Sequence, residues 1–172
     1  YYTDRCGMKD YKKAMKYYIM AADKGYPLAA NTLGFMYYYG LGVEIDYERA
    51  YKYFSMAALL GDLEAMYKTG DMFRYGYYVQ KSPQAAFRLY SMAYDLLQQS
   101  DDDARCGGYI LKRMGDALSE GIGIASDPST ALLFYQRAEK MFYDQIRNGD
   151  PYAQKDLERA KKMQSKLRKE ID

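Results

Sequence analysis

Histidine and tryptophan are both absent from this 172-residue chain, and cysteine occurs only at Cys6 and Cys106. Without histidine the commonest general base and the commonest metal ligand are missing together. Two thiols in no shared motif make no zinc ligand set, so no metal and no cofactor is expected. They read as small unpaired hydrophobes, which favours a reducing, cytoplasmic compartment over an exported one. The sequence opens at Tyr1 without a methionine, so a preceding signal peptide stays open. No run approaches the roughly 20 apolar residues that cross a bilayer.

An excess of charge of one sign is also missing: 25 Lys and Arg stand against 23 Asp and Glu, for a net charge of +2. Nucleic-acid-binding domains carry a basic stripe that releases counterions from phosphate, so neither nucleic acid nor a membrane surface is the expected partner. Hydrophobic residues at 49% and charged residues at 28% describe a folded chain, with residues 1–172 expected as a single repeat domain.

What the chain does have is a period. Gly34, Gly70 and Gly115 recur at spacings of 36 and 45, as do Gly40, Gly76 and Gly121. Ala14, Ala50, Ala86 and Ala131 keep the same step with one more interval of 36, and so do Ala21, Ala57, Ala93 and Ala138. The extra nine residues enter once, between Gln98 and Gly108. A period of this size means stacked supersecondary units, none able to bury its apolar face alone.

Helix start signals fall in the same phase at Asp10, Asp46, Ser82 and Asp127. Aspartate and serine at an N-cap accept hydrogen bonds from free amides of the first turn, and Pro83 and Pro128 follow where a missing N–H costs nothing. Tyr47, Ala50, Tyr51, Phe54, Ala57 and Ala58 then keep helical spacing up to Gly61. The other helix of the pair starts near Pro27 or Asp62 and stops at Gly40, Gly76 or Gly121. Val43, Val79 or Ile124 would fold back onto its last turn. A glycine inside a helix costs about 1 kcal/mol relative to alanine, so Gly34, Gly70 and Gly115 imply that backbones pass close together there.

The block from Leu33 to Gly61, LGFMYYYGLGVEIDYERAYKYFSMAALLG, resembles the Sel1-like repeat, a relative of the tetratricopeptide repeat. The resemblance divides the chain into a partial repeat at 10–26, repeats at 27–62, 63–98 and 104–149, and a C-terminal capping helix at 150–172. Three residues depart from the pattern: Tyr78 replaces a linker glycine, Thr69 a leucine, and Leu97 the glycine that ends its helix, so that helix is expected to run on. The next repeat is expected to extend to Gly149. Asp150 should cap the last helix, whose apolar stripe is Ala153, Leu157, Ala160, Met163, Leu167 and Ile171. The fold class implied is all-α, a right-handed α-solenoid of stacked antiparallel helix pairs.

Catalytic residues are not apparent. Some Sel1-like proteins are linked to penicillin binding or β-lactamase activity, but no serine here is followed three residues on by lysine, and neither an S-D-N nor a K-T-G triplet occurs. The cysteine pair per repeat of that subset is missing too. Gly40-Leu41-Gly42 and Gly121-Ile122-Gly123 end helices instead of opening them, which is wrong for a phosphate loop. Asp101, Asp102 and Asp103 lack the alternation of a Ca²⁺ loop and read as a solvated insertion.

The resemblance therefore implies a non-catalytic scaffold binding a protein or peptide, with a penicillin-binding or β-lactamase-type hydrolase and a self-association module as alternatives. Twenty-two tyrosines fit such a role, because tyrosine offers a large contact area and a hydroxyl for little entropy. Much of the tyrosine falls at core positions such as Tyr17, Tyr37, Tyr53 and Tyr135, so packing accounts for at least half of it, and the remainder is left for binding. In such solenoids the first helices line the concave surface. By phase these positions are Asn31, Phe35 and Tyr38, then Tyr67, Asp71 and Arg74, then Lys112, Asp116 and Ser119. They are expected at the surface, so alanine at Tyr67, Arg74 or Lys112 should leave stability unchanged within about 0.5 kcal/mol.

Overall fold

A computed structural model describes residues 8–99 and 105–171, with side chains from Tyr11 onward. Eight helices follow one another: α1 (Met8–Asp23), α2 (Pro27–Tyr39), α3 (Tyr47–Leu59), α4 (Leu63–Tyr75), α5 (Pro83–Gln99), α6 (Gly107–Glu120), α7 (Pro128–Arg147) and α8 (Ala153–Ile171). No strand occurs among the described residues. None of these helices is long and apolar enough to cross a membrane. Two compact units divide between Lys81 and Ser82. In the first, α1 packs on α2, α2 on α3 and α3 on α4; in the second, α5 to α8 pack in the same successive manner.

The caps act as their chemistry requires. The carboxylates of Asp46, Asp62 and Asp127 accept the amides of Arg49, Ala65 and Thr130 at 2.9, 2.8 and 3.0 Å. Ser82 Oγ accepts from the Ala85 amide at 3.2 Å. Gly40, Gly76 and Gly121 close the first helices in the left-handed region, their amides bound to Met36, Met72 and Ala117 carbonyls. The two runs past the expected stop are present: α5 reaches Gln99 with Leu97 buried, and α7 reaches Arg147, two residues before Gly149 at φ +84°.

Hydrogen bonds from the Thr130 side chain and amide hold the Asp127 carboxylate below its ordinary value. A depressed folded pKa means that the cap's contribution is complete above the unfolded value and is lost as pH falls through the folded one. Asparagine caps without titrating. Between about pH 5 and about pH 3 the Asp127→Asn variant should therefore lose less melting temperature than the parent. Equal losses in the two proteins would show that this cap does not titrate with folding.

Several expectations need correction. α1 begins at Met8, so Asp10 lies inside the helix and is not its N-cap. α8 begins at Ala153, and Asp150 instead accepts the Tyr152 amide at 2.9 Å and the Tyr109 hydroxyl at 2.9 Å. Ala153, Leu157, Ala160 and Leu167 are buried as expected, but Ile171, the last residue of α8, is 44% exposed. Tyr17, expected in the core, is 70% exposed, whereas Tyr37 and Tyr135 are buried. Cys6 and Asp101 to Asp103 lie outside the described residues.

At Gly34 and Gly115 the close approach is of ring on backbone, not backbone on backbone. A Cβ at Gly34 would lie 2.4 Å from Phe54 Cδ1, and one at Gly115 would lie 3.0 Å from Tyr135 Cε1. In both pairs the ring comes 20 residues after the glycine, from the second helix of the same repeat. The linkers form another seam. A Cβ at Gly42 (φ +73°) would meet Tyr11 Cβ at 2.2 Å, and one at Gly123 (φ +72°) would meet the Pro83 carbonyl oxygen at 2.2 Å, each at the start of the preceding second helix. Tyr78 holds the same left-handed conformation, at φ +64°, with a full side chain.

Candidate functional site

The first-helix positions of the first unit converge on a lysine that the phase argument did not select. Asn31, Phe35 and Tyr38 form one stripe of α2, with Tyr39 beside it, while Tyr67 and Lys68 come from α4. Lys68 is 9% exposed. Its Nζ lies 5.0, 5.6, 5.2 and 5.7 Å from the ring centroids of Phe35, Tyr38, Tyr39 and Tyr67, and donates to Tyr39 Oη at 2.9 Å. Phe35, Tyr38 and Tyr67 lie within cation–π reach of the charge, while Tyr39 meets it at its hydroxyl edge, and such contacts strengthen as water is excluded.

The rings support one another. Phe35 stacks on Tyr39 at 5.9 Å and meets Phe54 edge-on at 5.2 Å, so the ring seated on Gly34 also braces the patch. Tyr38 packs edge-on against Tyr39, Tyr47 and Tyr77. Burial, and then the Asp71 carboxylate, push the Tyr38 hydroxyl above its ordinary value, so it is a neutral donor at any physiological pH. Tyr39 is 51% exposed, which places the outer edge of the patch at the surface.

Glu64 organises the polar margin. It accepts from Asn31 Nδ2 at 3.1 Å and from Tyr67 Oη at 3.2 Å. A carboxylate only accepts, so the nitrogen end of the Asn31 amide must face it. The carbonyl end is then left buried, and Asn31 Oδ1 has no hydrogen-bond partner among the described residues.

In the second unit the predicted positions meet a closed network. Lys112 Nζ lies 3.1 Å from Asp116 Oδ2 and 3.7 Å from Asp156 Oδ1 on α8. Tyr135 Oη donates to Asp116 Oδ1 at 2.7 Å and lies 3.3 Å from Ser119 Oγ. Burial, then Asp116, raise the Tyr135 hydroxyl's pKa and keep it a donor. A shallow groove on α7, lined by Leu133, Phe134, Arg137 and Lys140 among others, contains none of the predicted positions.

The expectation of surface positions therefore holds only in part. Phe35, Tyr38, Arg74 and Lys112 are partly exposed, but Asn31, Tyr67, Asp71 and Asp116 are buried. Tyr67 is 2% exposed, so its replacement by alanine cannot be thermally silent. Sequence reasoning missed Glu64, Tyr39 and Lys68. No sequence signal marked Lys68, because its burial comes from the helices packed around α4, which is buried over all of residues 65–72.

The sequence profile described as Sel1 repeat matches residues 1–26, 27–62, 63–96 and 111–141. Among solved structures, a Sel1 repeat protein from Oxalobacter formigenes is similar, with 26% identity over 83% of this chain and 51% of that one, at a TM-score of 0.64. So is c5321, a protective antigen of uropathogenic Escherichia coli strains with an SLR fold: 23% identity, 86% of this chain, 36% of that one, TM-score 0.63. The Helicobacter pylori cysteine rich protein B covers 88% of this chain and 97% of its own length at 23% identity and a TM-score of 0.50. The chain thus spans about half the length of the first of these and about a third of the second. No curated protein matches. The fold shared with these structures is the expected all-α solenoid of stacked helix pairs. Since the profile also falls on the segments that carry the repeating glycines and capped helices, the chain belongs to the Sel1 repeat family.

Proposed function

We propose that this chain is a protein-interaction module, and that the aromatic face of α2 and α4 takes an extended peptide or a protein segment. Sel1 repeats are typically protein-interaction modules and generally non-catalytic. The observation that carries the reading here is the unpartnered Asn31 Oδ1 beside Phe35, Tyr38 and Tyr39. A buried acceptor without a donor costs on the order of 1–3 kcal/mol. Oδ1 is closed to solvent, so the surrounding side chains must move aside for a backbone N–H of a bound segment to reach it and remove that cost, while the rings supply apolar contact area. Lys112 and Asp116 are assigned a structural part, because they neutralise each other.

The test is affinity capture from the source organism, followed by binding isotherms of the captured protein with purified variants. Tyr39→Ala and Arg74→Ala should each lose on the order of 1–2 kcal/mol of affinity, about 5- to 30-fold. Lys52→Ala, an exposed change on α3, should bind as the parent does. If the α3 change abolishes binding while the α2 and α4 changes do not, the partner docks elsewhere.

A further inference from the structure

Lys68 has an arrangement that structural packing alone leaves incomplete. An ammonium carries three N–H donors. Among the described residues only one finds an acceptor, Tyr39 Oη at 2.9 Å, and no carboxylate pairs with Lys68. Phe35, Tyr38 and Tyr67 stabilise the charge through their rings, no second hydrogen-bond acceptor for Nζ occurs among the described residues, and a buried cation needs pairing as well as polarisable neighbours. Glu64, one turn away on α4, is engaged by Asn31 and Tyr67.

We propose that the Lys68 ammonium is a carboxylate-binding site, taking an acidic group of the bound segment inside the ring of Phe35, Tyr38, Tyr39 and Tyr67. Charge complementarity selects the ligand, since two unfilled N–H donors on one nitrogen match the oxygens of a carboxylate and form charge-assisted hydrogen bonds. The route in runs past Tyr39, whose hydroxyl touches the ammonium and whose ring is 51% exposed. Asn31 Oδ1, on the same stripe of α2 as Phe35 and Tyr38, would take an adjoining N–H, so a carboxylate next to a peptide amide satisfies acceptor and donor together.

This inference rests on the reading of α2 and α4 as a binding face, but small probes test it separately. Lysine-ammonium NMR of the full chain would follow Lys68 Nζ during titration with N-acetylglutamate α-amide, a side-chain carboxylate, and N-acetylalanine, a terminal one. Sodium chloride at equal ionic strength is the reference. A saturable shift of the Lys68 signal with at least one carboxylate, several-fold larger than with chloride, is expected, together with a shift of the Tyr39 ring that disappears in Lys68→Met. The stronger probe identifies the source of the carboxylate. No shift, a shift equal to that with chloride, or a Tyr39 response that survives in Lys68→Met would each overturn the proposal. Partner binding that depends on Tyr39 and Arg74 without a carboxylate response would sink this inference and leave the binding face standing; the reverse pattern would do the opposite.

Discussion

Leucine at position 34 is expected to destabilise the protein by about 3 kcal/mol, at the upper end of what overpacking costs. The added Cβ would lie 2.4 to 2.8 Å from three ring carbons of Phe54, a fully buried side chain that has nowhere to retreat. Alanine tests the sign more sharply. Helix propensity alone would reward Gly34→Ala by about 1 kcal/mol, yet the same clash should make it a net loss of roughly 1 kcal/mol. Phe54→Ala by itself should cost about 3–5 kcal/mol. The double variant Gly34→Leu/Phe54→Ala should lose less than the sum, because the leucine enters the space that the ring vacates. Strict additivity in thermal or denaturant unfolding would show that the ring and the glycine do not share a site. Since Phe54 also meets Phe35 edge-on at 5.2 Å, the single Gly34 variants should disturb the Lys68 cage as well.

Asp116→Ala is expected to cost about 3 kcal/mol, the lower end of the range for breaking a buried ion pair. Tyr135, fully buried, would keep only the 3.3 Å contact with Ser119, and Lys112 only the 3.7 Å contact with Asp156. Those two remaining contacts are why the loss stays at the lower end. For a chain of this length it corresponds to a fall of roughly 6–12 °C in melting temperature. Asp116→Asn, which keeps an acceptor for the tyrosine, should lose about half as much. A thermally silent Asp116→Ala would restore the expectation that this carboxylate faces a partner.

The positions hardest to read from the sequence were those whose environment comes from another helix. Asn31, Tyr67 and Lys112 share one phase of the repeat, yet Asn31 is held by Glu64, Tyr67 is buried over the same carboxylate, and Lys112 is paired with Asp116 and Asp156. Phase predicts the direction of a side chain from its helix. It does not predict what that side chain meets. Tyr17 illustrates the converse, a tyrosine in a core-like phase that is left 70% exposed.

The sequence by itself determined the helices, their caps and their order, because these depend on interactions across three or four residues: Asp46 with the Arg49 amide, Asp127 with Thr130, Gly40 with Met36. It also determined the repeat, because Gly34 with Phe54 and Gly115 with Tyr135 keep one spacing of 20 residues and so show as a period. Only the tertiary structure decided the candidate site. Lys68 meets Tyr39 across 29 positions and Lys112 meets Asp156 across 44, so each pairing joins residues of different helices. Contacts at such separations lie beyond any signal across three or four residues, and whether a charged side chain ends in water, an ion pair or among tyrosine rings depends on the helices that close over it.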